Sequence, residues 1–519
     1  MVDRHIREGR GDLTAFRFAG ETVTYEGLHR AVLKRQTALG ALGLRPGDRV
    51  AMVVRDEPSF AGWFLGSLRG GFIPVPLSTM LTPSEVGTVV ADSGATVVIV
   101  SSSHIGHLPA IAETAPAVTR AIVLGVVDGM PKPRMDVTDE TAFLADFAPD
   151  PVDDVVAVLP PEVALTDRES PAFWLYSSGT TGIPKGVMHR HGSLQATAET
   201  YATSVLDFRS DDKVLSIAKL FFAFGLGNSL TFPLAVGACA VLNPDPPTPS
   251  LIEQLLVNER PTLFFSSPGF IAALLDANTA VESFASVRLT VTAGEALPAD
   301  LSRRFTERFG VPVLDGLGTS EALHIFLSNF VASSRPGTSG RAVPGYEIEL
   351  RDEQGATIEA AESPGFLHVR GPSIASGYWQ RPEATADAFV NGWLRTGDVY
   401  IRDTEGYYRF LGRNNDMIKA GGIWVSPAEV ESVLIEHPDV LEAAVVGARN
   451  NDGLESTVAF VVARSGRSID IDAIDRHCRS KMAAFKRPRR ILVVDALPKT
   501  ATGKVQRFAL RKQLDTPRS

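Results

Sequence analysis

The residues most suited to chemistry lie in one run, from Tyr176 to Gly186, which contains three glycines, four Ser or Thr hydroxyls and one lysine. Glycines let a backbone approach an anion closely, and N–H groups, hydroxyls and an ammonium are the donors that a polyphosphate needs. The apolar segment Ala172–Tyr176 predicts a buried strand leading into this run. Because Lys185 precedes Gly186, the run differs from the Gly-x4-Gly-Lys-Ser/Thr loop of nucleoside triphosphatases. It predicts a different phosphate-binding loop, and the alternative is a flexible surface loop.

Two further clusters end in a carboxylate. The segment Asp315–Glu321 follows the apolar run Val311–Leu314, and Glu321 is a candidate ligand for Mg2+, because hard cations prefer oxygen donors. The alternative for this segment is a helix start capped by Ser320 or Thr319. In Trp393–Asp398, the carboxylate of Asp398 could accept hydrogen bonds from two ribose hydroxyls, and a tight turn is the alternative.

Two more clusters carry cations and glycines. In Leu411–Gly422, Arg413 could bind a ribose or a phosphate, and the glycines could line a narrow passage; the alternative is a polar linker. In Leu497–Arg507, Lys504 lies on a Gly/Thr loop, where a lysine taken alone is usually only solvated. Neither cluster identifies a function without the others.

Composition excludes several classes of protein. The 519 residues are 44% hydrophobic and 21% charged, with a net charge of −9 and no basic stripe, which argues against a nucleic-acid partner. Cys239 and Cys478 form no disulfide framework, and no export signal or membrane-spanning run is present, so we expect a cytoplasmic protein. His189 and His191 have no further ligand cluster beside them, so we expect no transition metal.

These clusters need elements to position them. From about residue 20 to 340, short apolar runs alternate with helix-like stretches such as Phe60–Arg69, which predicts parallel sheets in layered α/β subdomains. In such sheets, ligands gather beyond the carboxyl ends of the strands. The predicted strands are Arg49–Val54, Phe72–Val75, Thr96–Val100, Val214–Ala218, Ala238–Leu242, Thr262–Phe265, Arg288–Thr292 and Val311–Leu314.

The sequence pattern changes after residue 366. Short strands, glycines and aromatics, including Gly377-Tyr-Trp, predict a small antiparallel barrel-like unit up to Arg413. Beyond about residue 415 the pattern predicts an α+β unit, and the polar stretch from Ala501 is expected to be mobile. The elements predicted for this unit are helices at Pro427–His437 and Ile471–Ala484 and strands at Leu441–Gly447 and Thr457–Ala463.

Taken in order along the chain, the clusters closely resemble the motifs of the acyl-adenylate-forming superfamily, which includes acyl-CoA synthetases, adenylation domains and firefly-type luciferases. The resemblance covers essentially the whole chain. It implies an α/β fold of several subdomains: a large N-terminal domain, 1–414, of two layered α/β subdomains plus a small β-barrel, and a small mobile α+β C-terminal lid, 415–519. The N-terminal domain would bind acid and ATP, and the lid would supply the catalytic lysine and a passage for the thiol.

The resemblance also assigns roles by position. The carboxylate-activating roles fall to Lys504, which would bridge the acid and the α-phosphate, to Thr319, which would touch one of these groups, and to Glu321, which would coordinate Mg2+. Gly422 would line the passage for coenzyme A, and Asn415 stands at the hinge, where the family usually has Asp or Lys. The remaining nucleotide-binding positions are Ser177, Ser178, Gly179, Thr180, Thr181 and Lys185 for the phosphates, Gly294 and Glu295 for the adenine, Asp398 and Arg413 for the ribose, and Asp315 without a more specific role.

The acid pocket implied by the resemblance is flat, aromatic and mostly apolar. Its expected lining is Phe222, Ala223, Phe224, Gly318, His324 and Ile325. No carboxylate stands where amino-acid activators commonly hold an α-ammonium, which argues against a free amino acid. The strings Lys219–Asn228 and Gly422–Pro427 resemble the benzoate-CoA ligase branch, although Phe224 replaces a common Tyr and leaves the ring substituents open.

The sequence therefore predicts an aryl-CoA ligase that uses ATP, Mg2+ and coenzyme A on benzoate or a simply substituted benzoate. One alternative is an enzyme that loads the aryl group onto an acyl carrier protein in trans, and another is a medium-chain fatty acyl-CoA ligase. A non-catalytic acyl or nucleotide binder is the alternative outside enzymes. A lysine acetyltransferase and deacetylase acting on Lys504 are further expected partners.

Overall fold

The largest sheet of the protein has nine strands. The computed structural model describes residues 1–125, 134–147, 162–178, 184–420, 423–449, 455–499 and 505–515. The sheet runs in the order Arg341–Ala342, Ile325–Ser328, Val313–Gly318, Leu289–Thr292, Leu263–Ser266, Lys213–Ser216, Cys239–Leu242, Thr14–Phe18 and Glu21–Thr24. The strands from Val313–Gly318 through Thr14–Phe18 pair in parallel, and the outer pairs are antiparallel.

A second sheet has five strands, all parallel. Its order is Ile73–Pro76, Arg49–Val53, Val97–Ser101, Arg120–Leu124 and Asp136–Asp139. The strand Val97–Ser101 is buried along its whole length, as expected for a central parallel strand covered on both faces. Each predicted strand between residues 49 and 314 is present, with ends that differ by up to four residues.

The main core lies between these sheets and their helices. Helix Pro58–Arg69 is buried along nearly its whole length, and Trp63 and Phe64 have no exposed surface. Helix Tyr25–Ala41 is preceded by its N-cap residue Thr24, whose hydroxyl accepts from the N–H of Gly27 in the first turn. Parallel strands need crossover helices such as Pro58–Arg69, which joins Arg49–Val53 to Ile73–Pro76, and the alternation read from the sequence is therefore confirmed.

The helices between and around the sheets are mostly short. The α-helices are Val2–Arg7, Tyr25–Ala41, Pro58–Arg69, Pro83–Ser93, Leu108–Thr114, Glu140–Ala145, His191–Thr197, Ala223–Leu226, Phe232–Val236, Pro249–Glu259, Pro268–Asp276, Ala299–Phe309, Pro382–Ala388, Pro427–Ile435, Ile471–Lys481 and Arg507–Asp515. Among the described residues, short 3₁₀ segments are Ser102–His107, Val281–Phe284, Ser320–Ala322, Val331–Ser333 and Asn414–Asp416, and π-helical turns are Ala198–Thr203 and Gly227–Thr231. Among the described residues, no helix combines the length and apolar character needed to cross a membrane.

Two antiparallel units complete the N-terminal part. A hairpin pairs Pro171–Ser178 with Pro184–Arg190, and its first strand contains the predicted Ala172–Tyr176. The antiparallel unit predicted from residue 366 begins earlier, at Glu347. Its strands are Glu347–Arg351, Gly365–Arg370, Trp393–Arg402, Phe389–Val390 and Tyr408–Arg413.

The C-terminal part is an α+β unit, as predicted. The short hairpin Ile418–Ala420 with Ile423–Val425 precedes a sheet of Val440–Arg449, Glu455–Ala463 and Arg490–Val493. The expectation of a mobile stretch after Ala501 was wrong for residues 507–515, which form a helix. Leu510 is fully buried there, and Arg507 donates to Glu431 at 2.7 Å, so burial and an ion pair hold a segment whose composition is polar.

Candidate functional site

The predicted site residues follow strands of the nine-stranded sheet at one edge. Gly294 and Glu295 follow Leu289–Thr292, Thr319 and Glu321 follow Val313–Gly318, and the Phe222 segment follows Lys213–Ser216. These strands belong to one continuous parallel set, so their carboxyl ends meet at the same edge. That edge is where ligands bind in open α/β sheets.

The hairpin places two of the predicted phosphate-binding residues side by side. Ser177 is the register partner of Lys185, and the next pair joins Ser178 to Pro184. Gly179, Thr180 and Thr181 lie outside the described residues, as do Gly422 and Lys504. The hairpin therefore delivers both ends of the phosphate loop to one place.

Lys185 and Glu321 meet at Tyr378. The ammonium of Lys185 lies 5.1 Å from the centroid of the Tyr378 ring, and the Tyr378 hydroxyl donates to Glu321 Oε1 at 2.9 Å. The backbone of this segment pairs with the hairpin, since Trp379 N–H donates to the carbonyl of Gly186 at 2.8 Å. Ala375 N–H donates to the Glu321 carbonyl at 2.8 Å. The cation and the carboxylate predicted from separate motifs are thus joined by one aromatic residue.

The turn that carries Glu321 is held from two sides. Thr319 caps the single turn Ser320–Ala322, because its hydroxyl accepts from Ala322 N–H at 3.2 Å, so the cap predicted as the alternative is present. His189 Nε2 lies 2.8 Å from the carbonyl of Ser320, and burial lowers the pKa of His189 to about 4. A neutral His189 can donate Nε2–H to that carbonyl, which fixes the turn between the hairpin and the sheet.

Asp398 and Arg413 form the predicted ribose pair. They are register partners on adjacent strands, and Arg413 Nε lies 2.9 Å from Asp398 Oδ1. Arg413 Nη1 also donates to the carbonyl of Thr396 at 2.9 Å. Asp398 is almost fully buried whereas the Arg413 side chain is 42% exposed. The arrangement offers a fixed carboxylate beside an accessible guanidinium, which suits recognition of a diol.

Asp315 borders a cavity of about 180 Å³. Thr292 Oγ1 donates to Asp315 Oδ1 at 3.0 Å, and Leu297 N–H donates to Oδ2 at 3.3 Å. Burial raises the pKa of Asp315 to about 7. The cavity is lined by Ala296, Leu297, Asp315, Gly337, Thr338, Ser339, Arg409, Phe410, Ala428, Glu429, Ser432 and Val433. Two of the lining residues, Ala296 and Leu297, directly follow Gly294 and Glu295, which were predicted to contact an adenine ring.

The residues predicted to line the acid pocket form a mostly apolar, aromatic cluster, which we call the acid slot and define by Phe222, Ala223, Phe224, Gly318, His324 and Ile325. His324 is 3% exposed, and its ring lies 5.3 Å from that of Phe224 and 4.5 Å from that of Phe232. Its Nε2 lies 3.1 Å from Asn228 Oδ1, and burial lowers the pKa of His324 to about 3. His324 is therefore uncharged at neutral pH, and the slot offers shape and apolar surface.

One glycine, Gly227, packs directly against His324 of the acid slot. A Cβ on Gly227 would lie 2.3 Å from the His324 ring, a separation that real side chains do not show. Sequence reasoning missed Asp56, whose Oδ1 accepts from Leu220 N–H at 2.9 Å. It placed Asn228 in the acid-pocket segment but did not identify its contact with His324. No local signal in the sequence marks either contact, because each joins distant parts of the chain.

The hinge position Asn415 lies between two anchors. Arg413 is bound to Asp398, in the antiparallel sheet, whereas Asp416 accepts a close hydrogen bond from Arg511, in the last described helix. Ser426 Oγ donates to the carbonyl of Leu411 across the same junction. Asn414 and Asn415 therefore separate a residue fixed to the N-terminal part from one fixed to the C-terminal part.

Among the residues that the structure describes, no group of three His, Cys, Asp or Glu is placed to hold a metal ion.

Comparison with known proteins gives two family matches. The pattern of the AMP-binding enzyme family matches residues 2–379, and that of the AMP-binding enzyme C-terminal domain matches residues 429–504. The first match alone covers well over half of the chain. The second begins within helix Pro427–Ile435.

Individual relatives match over nearly full length. The chain is 42% identical to the benzoate–CoA ligase of Thauera aromatica, over 98% of this chain and 94% of that protein. The crystal structure of a benzoate CoA ligase from Burkholderia xenovorans LB400 superposes with a TM-score of 0.88 at 39% identity, covering 98% of both chains. The anthranilate CoA ligase AuaEII in complex with anthranoyl-AMP superposes with a TM-score of 0.91 at 36% identity, covering 99% of this chain and 96% of that one.

Proposed function

This chain belongs to the AMP-binding enzyme family, and on that basis we propose that it activates benzoate or a simply substituted benzoate with ATP and transfers it to coenzyme A. The observation that carries the proposal is the acid slot. Its residues are uncharged, its walls are aromatic, and it follows strands of the same sheet as the nucleotide-side residues. The names of the relatives, benzoate–CoA ligase and anthranilate CoA ligase, support an aromatic acid.

The first half-reaction joins the acid to AMP. A carboxylate oxygen attacks the α-phosphorus, the bond to the bridging oxygen breaks, and pyrophosphate leaves with that electron pair. Two anions must meet in this step, so a fixed cation that offsets their repulsion lowers the barrier. We assign that role to Lys504 and the phosphate contacts to Lys185 and the hydroxyls of Thr180 and Thr181.

Other residues hold the nucleotide in place. Asp398 and Arg413 would bind the ribose, Asp315 and the Gly294–Glu295 turn would face the adenine, and Thr319 would direct its remaining hydroxyl proton to the reacting oxygens. The donor at Glu321 fits Mg2+, which commonly takes one or two carboxylates plus substrate phosphates. When bound there, Mg2+ would neutralise phosphate charge.

The second half-reaction forms the thioester. The sulfur of coenzyme A attacks the acyl carbon, the bond from that carbon to the AMP oxygen breaks, and the thiol proton leaves to solvent. We propose that residues 415–519 rotate as a lid between the two steps relative to residues 1–414. The anchors of Arg413 and Asp416 support a pivot at Asn414–Asn415, and Gly422 would line the passage that the thiol enters.

A reducing, cytoplasmic setting suits this chemistry. Cys239 and Cys478 are both free and buried, so neither depends on an oxidising compartment. Acetylation of Lys504 would remove the charge that the first half-reaction needs, so an acetyltransferase and a deacetylase are proposed regulators.

The test is acid-dependent pyrophosphate release with ATP and Mg2+, across benzoates, cinnamates, medium-chain fatty acids and amino acids, with and without coenzyme A. We expect turnover with benzoates that requires coenzyme A. Aryl-adenylate formation without coenzyme A turnover would assign the thiol to a carrier protein instead. Preference for fatty acids would reject the aromatic slot, and no pyrophosphate release with any acid would reject the enzyme.

A further inference from the structure

Tyr378 contacts both charged groups of the ATP site. Its hydroxyl donates to Glu321 Oε1 at 2.9 Å, and its ring lies 5.1 Å from the Lys185 ammonium. We propose that Tyr378 is a positioning residue that fixes Glu321 through its hydroxyl and Lys185 through its ring, so that the two are held apart and open to ATP. This inference rests on the proposed function in taking ATP, with Mg2+ at Glu321, as the ligand.

Tyr378 is itself rigidly held. Its N–H donates to Thr385 Oγ1 at 2.9 Å, its ring packs edge-on against Phe389 at 5.4 Å, and it is 8% exposed. Its backbone bridges to Val187 on the hairpin strand that carries Lys185. A side chain fixed at its backbone and ring can impose a position on the two groups that touch it.

The two contacts with Tyr378 leave Lys185 and Glu321 available to bind ligands. Lys185 and Glu321 are of opposite sign, and a direct ion pair between them would occupy the donors and acceptors that phosphate and metal need. An aromatic face attracts an ammonium without using its N–H groups in a salt bridge, and a phenol donates to a carboxylate without protonating it. Among the described residues, Lys185 has no ion-pair partner, which is consistent with this arrangement.

Two substitutions separate the two contacts. Tyr378→Phe removes the hydroxyl and keeps the ring, whereas Tyr378→Leu removes both. The matched control is Tyr407→Phe, because Tyr407 is 7% exposed, donates its hydroxyl to the Ser333 carbonyl at 2.8 Å and lies 4.2 Å from both Arg335 and Arg341. The control makes the same chemical change outside the proposed site.

The readout is equilibrium binding of ATP by calorimetry without acid, measured once with Mg2+ and once with chelator. With Mg2+, Tyr378→Phe should weaken ATP binding by about 10-fold, since a hydrogen bond to a charged group is lost. With chelator, its affinity should stay within about 2-fold of wild type, whereas Tyr378→Leu should lose about 5-fold because Lys185 loses its aromatic face. Tyr407→Phe should match wild type in both conditions.

Two results would overturn the proposal. One is unchanged ATP affinity for Tyr378→Phe in the presence of Mg2+. The other is an equal loss with Mg2+ and with chelator, which would mean that the hydroxyl has only a structural role. Thermal unfolding of each variant, compared with Tyr407→Phe, identifies misfolding. Because no acid is added, a protein that binds ATP but activates no acid would reject the proposed function and leave this test valid.

Discussion

The residues proposed to bind ATP, which we call the nucleotide side, and the acid slot are built in different ways. The nucleotide side holds charged groups through polar contacts: Lys185 and Glu321 through Tyr378, and Asp398 through Arg413. The acid slot holds uncharged rings through packing, and its one titratable side chain, His324, is kept neutral by burial.

Because of this difference, we expect the nucleotide side to control the reaction rate and the acid slot to control which acid is used. Contacts to ATP are the same whatever acid is present, so damage to the nucleotide side should lower turnover of every acid equally. Packing responds to shape, so changes in the acid slot should alter which acid is used while ATP binding stays the same. The four predictions below test this division.

The largest effect is expected on the nucleotide side. Lys504→Ala should reduce aryl-adenylate formation by about 100-fold or more, because it removes the cation between two reacting anions. Thioester formation from a supplied aryl-adenylate should change far less. Single-turnover assays of the two half-reactions measure both quantities, with Lys499→Ala as the control. Equal loss in both half-reactions would contradict the role of Lys504.

Gly227→Ala should displace His324 within the acid slot. The added Cβ would lie 2.3 Å from the His324 ring, so kcat/KM for benzoate should fall by about 20-fold while the KM for ATP stays unchanged. Gly269→Ala is the control, because a Cβ there meets nothing within 4 Å. If both variants lost ATP affinity along with benzoate turnover, packing and nucleotide binding would not be separable.

Asp315 should make adenine binding depend on pH. Its pKa is raised to about 7, so it is protonated below that pH and a full acceptor above it. If it accepts from the adenine amino group, inhibition by adenosine should tighten by about 5-fold as the pH rises from 6 to 8. Adenosine carries no phosphate, so ligand titration does not contribute. The Asp315→Asn variant should show a flat profile, and a flat wild-type profile would remove Asp315 from the adenine site.

The smallest effect is expected from Phe224→Tyr. The ring stays in place beside His324, at 5.3 Å, and only a hydroxyl is added. The variant should shift the ranking among hydroxy-, amino- and unsubstituted benzoates by about 3-fold without altering ATP kinetics. Competition between pairs of benzoates gives this ratio directly. An unchanged ranking would place the ring substituents away from Phe224.

Features that depend on a short stretch of sequence could be predicted. Each of the clusters that contain Asp398 and Arg413 was recognised locally, the family resemblance put both at the ribose, and they are register partners on neighbouring strands. The turn at Glu321 and the strand ends that precede it were also predicted, because apolar runs identify parallel strands. Tyr378 could not be assigned, since 57 residues separate it from Glu321 and its motif, Gly377-Tyr-Trp, reads only as part of a strand-rich unit.

Tertiary contacts also explain the misread C-terminal end. Residues 507–515 are polar, and their helix depends on Leu510 in the core and on Arg507 with Glu431, which composition does not reveal. His324 was ambiguous between pocket wall and structural support. It lies in the acid slot and is also hydrogen-bonded to Asn228, so both descriptions hold.

The last described helix has a practical consequence for anyone who shortens or fuses this chain. Arg507 and Arg511 both lie near Asp416, at the far anchor of the hinge. A truncation after residue 504 would keep every residue assigned to ATP and acid, but it would remove the arginines that bind Asp416 beside the hinge. A bulky fusion at the C-terminus would disturb the same helix. Affinity tags are therefore better placed at the other end of the protein, provided that the buried Val2 keeps its packing.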